Sequence, residues 1–160
     1  MKKILALFAL LIILTIVGIG SLKYLENTNA SKKPTATISN HTFKLELAKT
    51  QQEKEIGLSK KKMLEKNAGM LFLFEKPDYY SFWMKNMQFP IDIIYIRNDR
   101  IVTVHKNVKP PKNPNDKLPL YNSKEPSDTV LEINAGLSEK YNFKVGDMVE
   151  LKNVQPTPAG

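Results

Sequence analysis

The chain has 160 residues, 24 of them basic and 16 acidic, with a formal net charge of +8 and no cysteine. Such a length holds one domain and a flanking segment. The missing thiol excludes disulfides, thiolate metal sites, cysteine nucleophiles and a cysteine-linked lipid anchor.

Met1-Lys2-Lys3 precedes an apolar run from Ile4 to Leu22, broken only by the mildly polar Thr15 and Ser21. These 19 residues, as a helix rising about 1.5 Å per residue, reach roughly 28 Å, close to the hydrocarbon thickness of a bilayer. Two readings stand. One is an uncleaved signal anchor over residues 1–22 that leaves the domain extracytoplasmic. The other is a signal peptide cleaved after Thr28-Asn29-Ala30, giving a secreted domain. The run is long for a signal-peptide core, which favours the anchor. Lys2 and Lys3 favour a cytoplasmic N-terminus, but Lys23, Lys32 and Lys33 after the run blur that bias. Without Lys2 and Lys3 the chain keeps 22 basic against 16 acidic residues, a net +6. The lysines are scattered apart from Lys60-Lys61-Lys62. A solvated basic face near anionic headgroups or envelope polymers explains them better than nucleic acid does.

Residues 23–36 are polar and read as a flexible tether. A globular domain is expected over 37–152 and a disordered tail over 153–160. Phe43 to Leu47 alternates strictly and predicts a strand with one buried face, entered through a turn at Asn40-His41. Thr50-Gln51-Gln52-Glu53 has the form of a capping box, so a short helix should follow and stop at Gly57. Gly69 to Phe74 is a continuous apolar run, which predicts a strand buried on both faces. Tyr80 to Met84 is expected to pair with it across Pro77-Asp78. Ile91–Arg97 and Arg100–His105 predict a hairpin turning at Asn98-Asp99. Residues 109–128 carry five prolines and predict a long surface excursion. Val130–Ile133 is another strand, and Leu137–Tyr141 a short helical segment. Val145-Gly146-Asp147 turns into a closing strand over Met148–Leu151. The expected fold is α+β and β-dominated: a mostly antiparallel sheet or partly closed barrel with one or two short helices, preceded by one transmembrane helix.

The segment Ser81 to Asp92 crowds the only tryptophan with a methionine, a lysine, an asparagine and a carboxylate. Such mixing of apolar and polar groups suits a ligand pocket. Trp83 would supply a wall, Lys85 a cation for an anionic group, and Asn86 oriented hydrogen bonds. Asp92 shares a strand face with Ile94 and Ile96, so its carboxylate needs a partner; a hydrogen bond to loop backbone is the simplest one. Glu132 and Glu46 each face away from their apolar neighbours, and solvent is the commoner destination. Should Glu46, Asp92 and Glu132 converge, they would form an acidic site. Asp92 and Glu132 would then be the candidate acid and base of an envelope hydrolase. His41 and His105 lie 64 positions apart without metal-ligand spacing. No nucleophile elbow and no phosphate-cradling glycine loop is present. No cofactor or metal follows from the residues.

From Glu46 to Leu151 the chain resembles the domain of unknown function 192 family. The blocks that carry the likeness are Glu46-Leu47-Ala48 with Thr50, Glu53 and Gly57-Leu58; Gly69-Met70-Leu71-Phe72 with Phe74; Phe82-Trp83-Met84-Lys85-Asn86 with Pro90 and Asp92; and Leu131 to Gly136 with Gly146-Asp147. The resemblance implies a compact β-rich fold, often exported or anchored, and no established reaction. Ser59 stands where the family usually has methionine, Lys61 where it has arginine, and Met87 where threonine is common. The expected function is a membrane-anchored extracytoplasmic domain that binds a small polar ligand or envelope component at Trp83, Lys85, Asn86, Asp92 and Glu46. The alternatives are the paired-carboxylate hydrolase or a structural partner in a membrane complex.

Overall fold

The computed structural model describes residues 12–18, 33–113 and 116–154. The chain divides into two compact units, 1–32 and 33–160. In the first, residues 12–18 are helical. Among the described residues no helix is long and apolar enough to cross a membrane. The expected anchor over Ile4 to Leu22 lies largely outside the described residues, as do most of the tether and residues 155–160 of the tail.

Among its described residues the second unit carries nine strands. They are β1 (Thr35–Ile38), β2 (His41–Ala48), β3 (Ala68–Asp78), β4 (Ser81–Phe82), β5 (Ile91–Arg97), β6 (Arg100–Val108), β7 (Tyr121–Asn122), β8 (Ser127–Asn134) and β9 (Val149–Lys152). Seven form one sheet in the order β6-β5-β8-β3-β2-β1-β9, and β4 pairs only with β7. All pairings are antiparallel except β2 with β3. A parallel neighbour needs a crossover, and the helix Gln51–Ile56 with the residues after it provides one.

That helix forms where the capping box predicts. The Thr50 hydroxyl accepts from the Glu53 N–H at 3.2 Å, and the Glu53 carboxylate accepts from the Thr50 and Lys49 N–H groups at 2.9 Å. The two backbone donors hold the Glu53 carboxyl below its ordinary pKa. Gly57 ends the helix with φ +48° and ψ −135°. The hairpin between β5 and β6 turns at Asn98 and Asp99, with φ of +49° and +56°, the positive values a two-residue turn requires.

Two sequence expectations differ from the structure. The tether ends earlier, because β1 begins at Thr35 and joins β2 through Ser39 and Asn40, both at positive φ. Tyr80 to Met84 does not pair with β3. β2 covers β3 only as far as Phe72, and β8 pairs with Gly69–Leu73 and Asp78; Ser81 and Phe82 form their strand against Tyr121 and Asn122 of the proline-rich excursion instead.

The sheet is curled. β6 and β9 stand at its opposite ends, yet Arg100 bridges Met148 and the Val149 N–H donates to the Asp99 carbonyl at 2.8 Å. One buried cluster takes side chains from all seven strands, including Ile38, Phe43, Leu71, Ile94, Ile101, Leu131 and Val149. Only the inside of a curl brings them together. A second cluster, with Leu58, Phe72, Met84, Ile93, Tyr95 and Val130, covers the outer face of β3, β8 and β5. The domain is therefore a β-dominated α+β half-barrel with few short helices, with β5, β8 and the first part of β3 buried on both faces.

Candidate functional site

Strand parity distributes the candidate carboxylates. On the outer face one row runs across Ile93, Glu132, Met70 and Glu46. On the inner face Asp92 pairs in register with Ile133. Asp92 and Glu132 thus lie on opposite sides of the sheet. Glu46 and Glu132 share a face but are two strand spacings apart, roughly 10 Å. Glu46 is exposed and pairs with the Lys61 ammonium at 2.7 Å. The three acids do not converge.

Asp92 is fully buried. Its carboxylate accepts from the backbone N–H groups of Asn107 (2.8 Å), Gly136 (3.0 Å) and Ser138 (2.7 Å). The short helix Leu137–Lys140 begins at Gly136, which has no side chain to cap it. Asp92 supplies the missing acceptor from a distant strand and fastens the end of β6 to the same point. This is the backbone partner its apolar strand face demanded, and the carboxylate has no free oxygen to offer a ligand.

Glu132 is only 5% exposed, not solvent-facing as its alternation suggested. No hydrogen bond or ion pair reaches its carboxyl among the described residues. Burial pushes its pKa up to about 8 from 4.5, so the group is mostly protonated at neutral pH. Nearby Tyr95 has its hydroxyl pKa raised, by burial first and then by the proximity of Glu132. The Tyr95 hydroxyl donates to the Tyr121 carbonyl, so its proton is not given to the acid.

Glu132 opens into a hollow of about 230 Å³ between the outer sheet face, the Gln51–Ile56 helix end and the Phe82–Met87 segment. Aromatic rings form its walls. Phe72 meets Phe82 edge-on with centroids 4.9 Å apart, and Phe74 stacks on Tyr80 at 3.6 Å. Trp83, 52% exposed, stands at the mouth. The Lys54 ammonium lies 4.6 Å from the Phe74 ring centre, and that of Lys85 lies 5.5 Å from the Trp83 ring. Gly57 is required here for two reasons. Its φ is positive, and a Cβ would come within 3.3 Å of the Phe72 ring.

Of the residues expected at one mouth, Trp83 and Lys85 line this hollow with Glu132. Asn86 does not. It takes φ +60° in the turn whose Met87 N–H returns to the Met84 carbonyl, and it lines a neighbouring hollow against Pro111 and Lys112. Met84 is core, at 1% exposure. Sequence reasoning missed Lys54, Phe72, Phe74 and Tyr80. The parity of β3 carried a signal for Phe72 and Phe74, since Met70, Phe72 and Phe74 must share the face of Glu132. Ser59 and Met87, two of the departures from the family pattern, also line the hollow, while Lys61 holds Glu46 beside it.

Among the described residues no group of three or more acidic or histidine side chains is placed to hold a metal ion.

The profile of the domain of unknown function 192 family, described as "Uncharacterized ACR", matches residues 34–151. The chain belongs to this family. Two solved structures are similar. One is a protein of unknown function from Novosphingobium aromaticivorans, 37% identical, with a TM-score of 0.65 over 74% of this chain and 83% of that one. The other, from Sinorhizobium meliloti, is described as a candidate transcription regulator. It is 29% identical, with a TM-score of 0.66 over 76% of this chain and 94% of that one. No curated protein matches the chain.

Proposed function

We propose that this family member is a binding domain, tethered outside the cell membrane by its apolar N-terminus. It takes a small ligand or envelope component into the aromatic hollow above the outer face of a partly closed barrel. The observation that carries this reading is the Glu132 carboxyl, buried and without a partner, opening into that hollow. An unsatisfied buried carboxyl lowers stability. A ligand that satisfies it recovers the loss as affinity. Aromatic walls with one oriented polar group are the usual make-up of a small-molecule site. At about 230 Å³ the space suits a single-ring molecule.

Paired-carboxylate hydrolysis has no support here, because Asp92 is on the other face of the sheet with its oxygens occupied. A concave site also favours a small ligand over a flat docking surface for a membrane complex. The tether rests on the apolar run from Ile4 to Leu22, which holds no charged residue.

The test is a crystallographic fragment screen on residues 33–160, which form a compact unit by themselves. Density is expected against Glu132 and Trp83, and fragments found only elsewhere would refute the site. For the tether, protease added to intact spheroplasts should remove the domain if it is extracytoplasmic. Full protection would refute that location.

A further inference from the structure

We infer, resting on that hollow as the binding site, that its ligand carries a primary amine on a small ring, the ammonium seated between the aromatic walls and paired with the Glu132 carboxylate at the floor. Three observations carry this. First, the floor offers a buried acid with no protein partner, which a basic group at the deep end of a ligand can deprotonate and pair with. Second, ring faces attract ammonium groups, and two at this mouth already hold one: Lys54 on Phe74 and Lys85 on Trp83. Third, the lining repels a cation less once Glu132 is ionised, since with Glu132 protonated it carries a net positive charge. The charged groups facing the hollow are Lys54 and Glu55 from the helix, Lys85 from the Phe82–Met87 segment and Glu132 from β8; β3 and β4 contribute none. An ionised Glu132 brings the four groups to zero. An incoming ammonium then makes the floor ion pair without leaving a buried charge alone.

The free carboxyl is mostly protonated at neutral pH, so binding of R–NH₃⁺ forms the pair R–NH₃⁺···⁻OOC–Glu132 and releases the Glu132 proton to solvent. No bond in the ligand breaks. An anionic ligand would instead be held at the rim lysines, keep Glu132 protonated and release no proton.

The experiment compares benzylammonium, benzyl alcohol and benzoate, of one shape and three charges, on residues 33–160 by titration calorimetry at pH 6.5 in two buffers of different ionisation enthalpy. Benzylammonium should bind the most tightly and release about one proton. Glu132→Gln should weaken it about tenfold or more and abolish the proton release, with circular dichroism showing an unchanged fold. Lys85→Met, a change on the exposed rim, should tighten benzylammonium by about twofold to fivefold by removing a like charge. Tighter binding of benzoate or the alcohol in the same hollow would overturn the amine inference and leave the binding site standing. Weaker benzylammonium binding to Lys85→Met would also overturn it. Failure of all three probes would overturn the inference as well, and the fragment screen judges the hollow independently.

Discussion

Glu132 makes a quantitative prediction about stability against pH. In the unfolded chain its carboxyl loses its proton near 4.5, and in the folded domain it keeps it up to about 8. Between those values the unfolded state binds fewer protons than the native one, so stability falls as pH rises. Below about 4.5 the group has no effect. Each pH unit in the window costs about 1.4 kcal/mol, which gives a ceiling of about 5 kcal/mol by pH 8. That is a large share of the roughly 5–15 kcal/mol that holds a domain folded. Water entering the hollow beside the charged carboxylate will reduce it. Glu132→Gln keeps the shape and removes the titration. The assay is urea unfolding of both proteins, followed by far-ultraviolet circular dichroism, at steps from pH 4.5 to 8.5. The variant should match the wild type at the acid end and exceed it by about 3–5 kcal/mol at the alkaline end. A difference that stays constant across the series would refute the argument that Glu132 is buried without a partner.

Other substitutions separate scaffold from site. Asp92→Ala leaves three buried N–H donors without an acceptor and should cost about 3–5 kcal/mol in urea unfolding; a loss under 1 kcal/mol would show that water replaces the carboxylate. Trp83→Ala should change stability by no more than about 0.5 kcal/mol, because half of the side chain is already in solvent. The same change should weaken benzylammonium in the calorimeter, and unchanged binding would remove Trp83 from the site. Gly57→Ala forces a side chain into positive φ and against Phe72, so it should cost about 1–3 kcal/mol. A neutral result in thermal unfolding would mean that the helix end relaxes freely.

Much of the scaffold was legible because its signals are local. Asn98-Asp99 between two alternating runs marked the hairpin, Thr50 and Glu53 marked the helix start, and the apolar run Gly69 to Phe74 marked a strand covered on both sides. β1 was hidden because Thr35 to Ile38 has four residues and a polar approach, so only its partners β2 and β9 identify it. The pairing of Ser81-Phe82 with Tyr121-Asn122 was hidden too. Its partner lies far along the chain in the proline-rich excursion, so the residues around Ser81 carry no sign of it. The site shows the same division. Trp83 and Lys85 were legible from their company in the chain. The separation of Asp92 from Glu132 followed from registers between strands that no single segment encodes. Glu132 was misread as solvent-facing because alternation gives its face but not what covers that face. The cover comes from the helix end at Gly57 and from the Phe82–Met87 segment, far away in sequence.

The most direct test of the binding site is nuclear magnetic resonance of residues 33–160 carrying ¹³C-labelled glutamate and ¹⁵N-labelled tryptophan, titrated with benzylammonium at neutral pH. The Glu132 carboxyl carbon should move toward its ionised shift in step with the Trp83 indole N–H, both saturating along one binding curve. A Glu132 resonance that is already ionised in the free protein, or that ignores the probe while other signals move, would contradict the account.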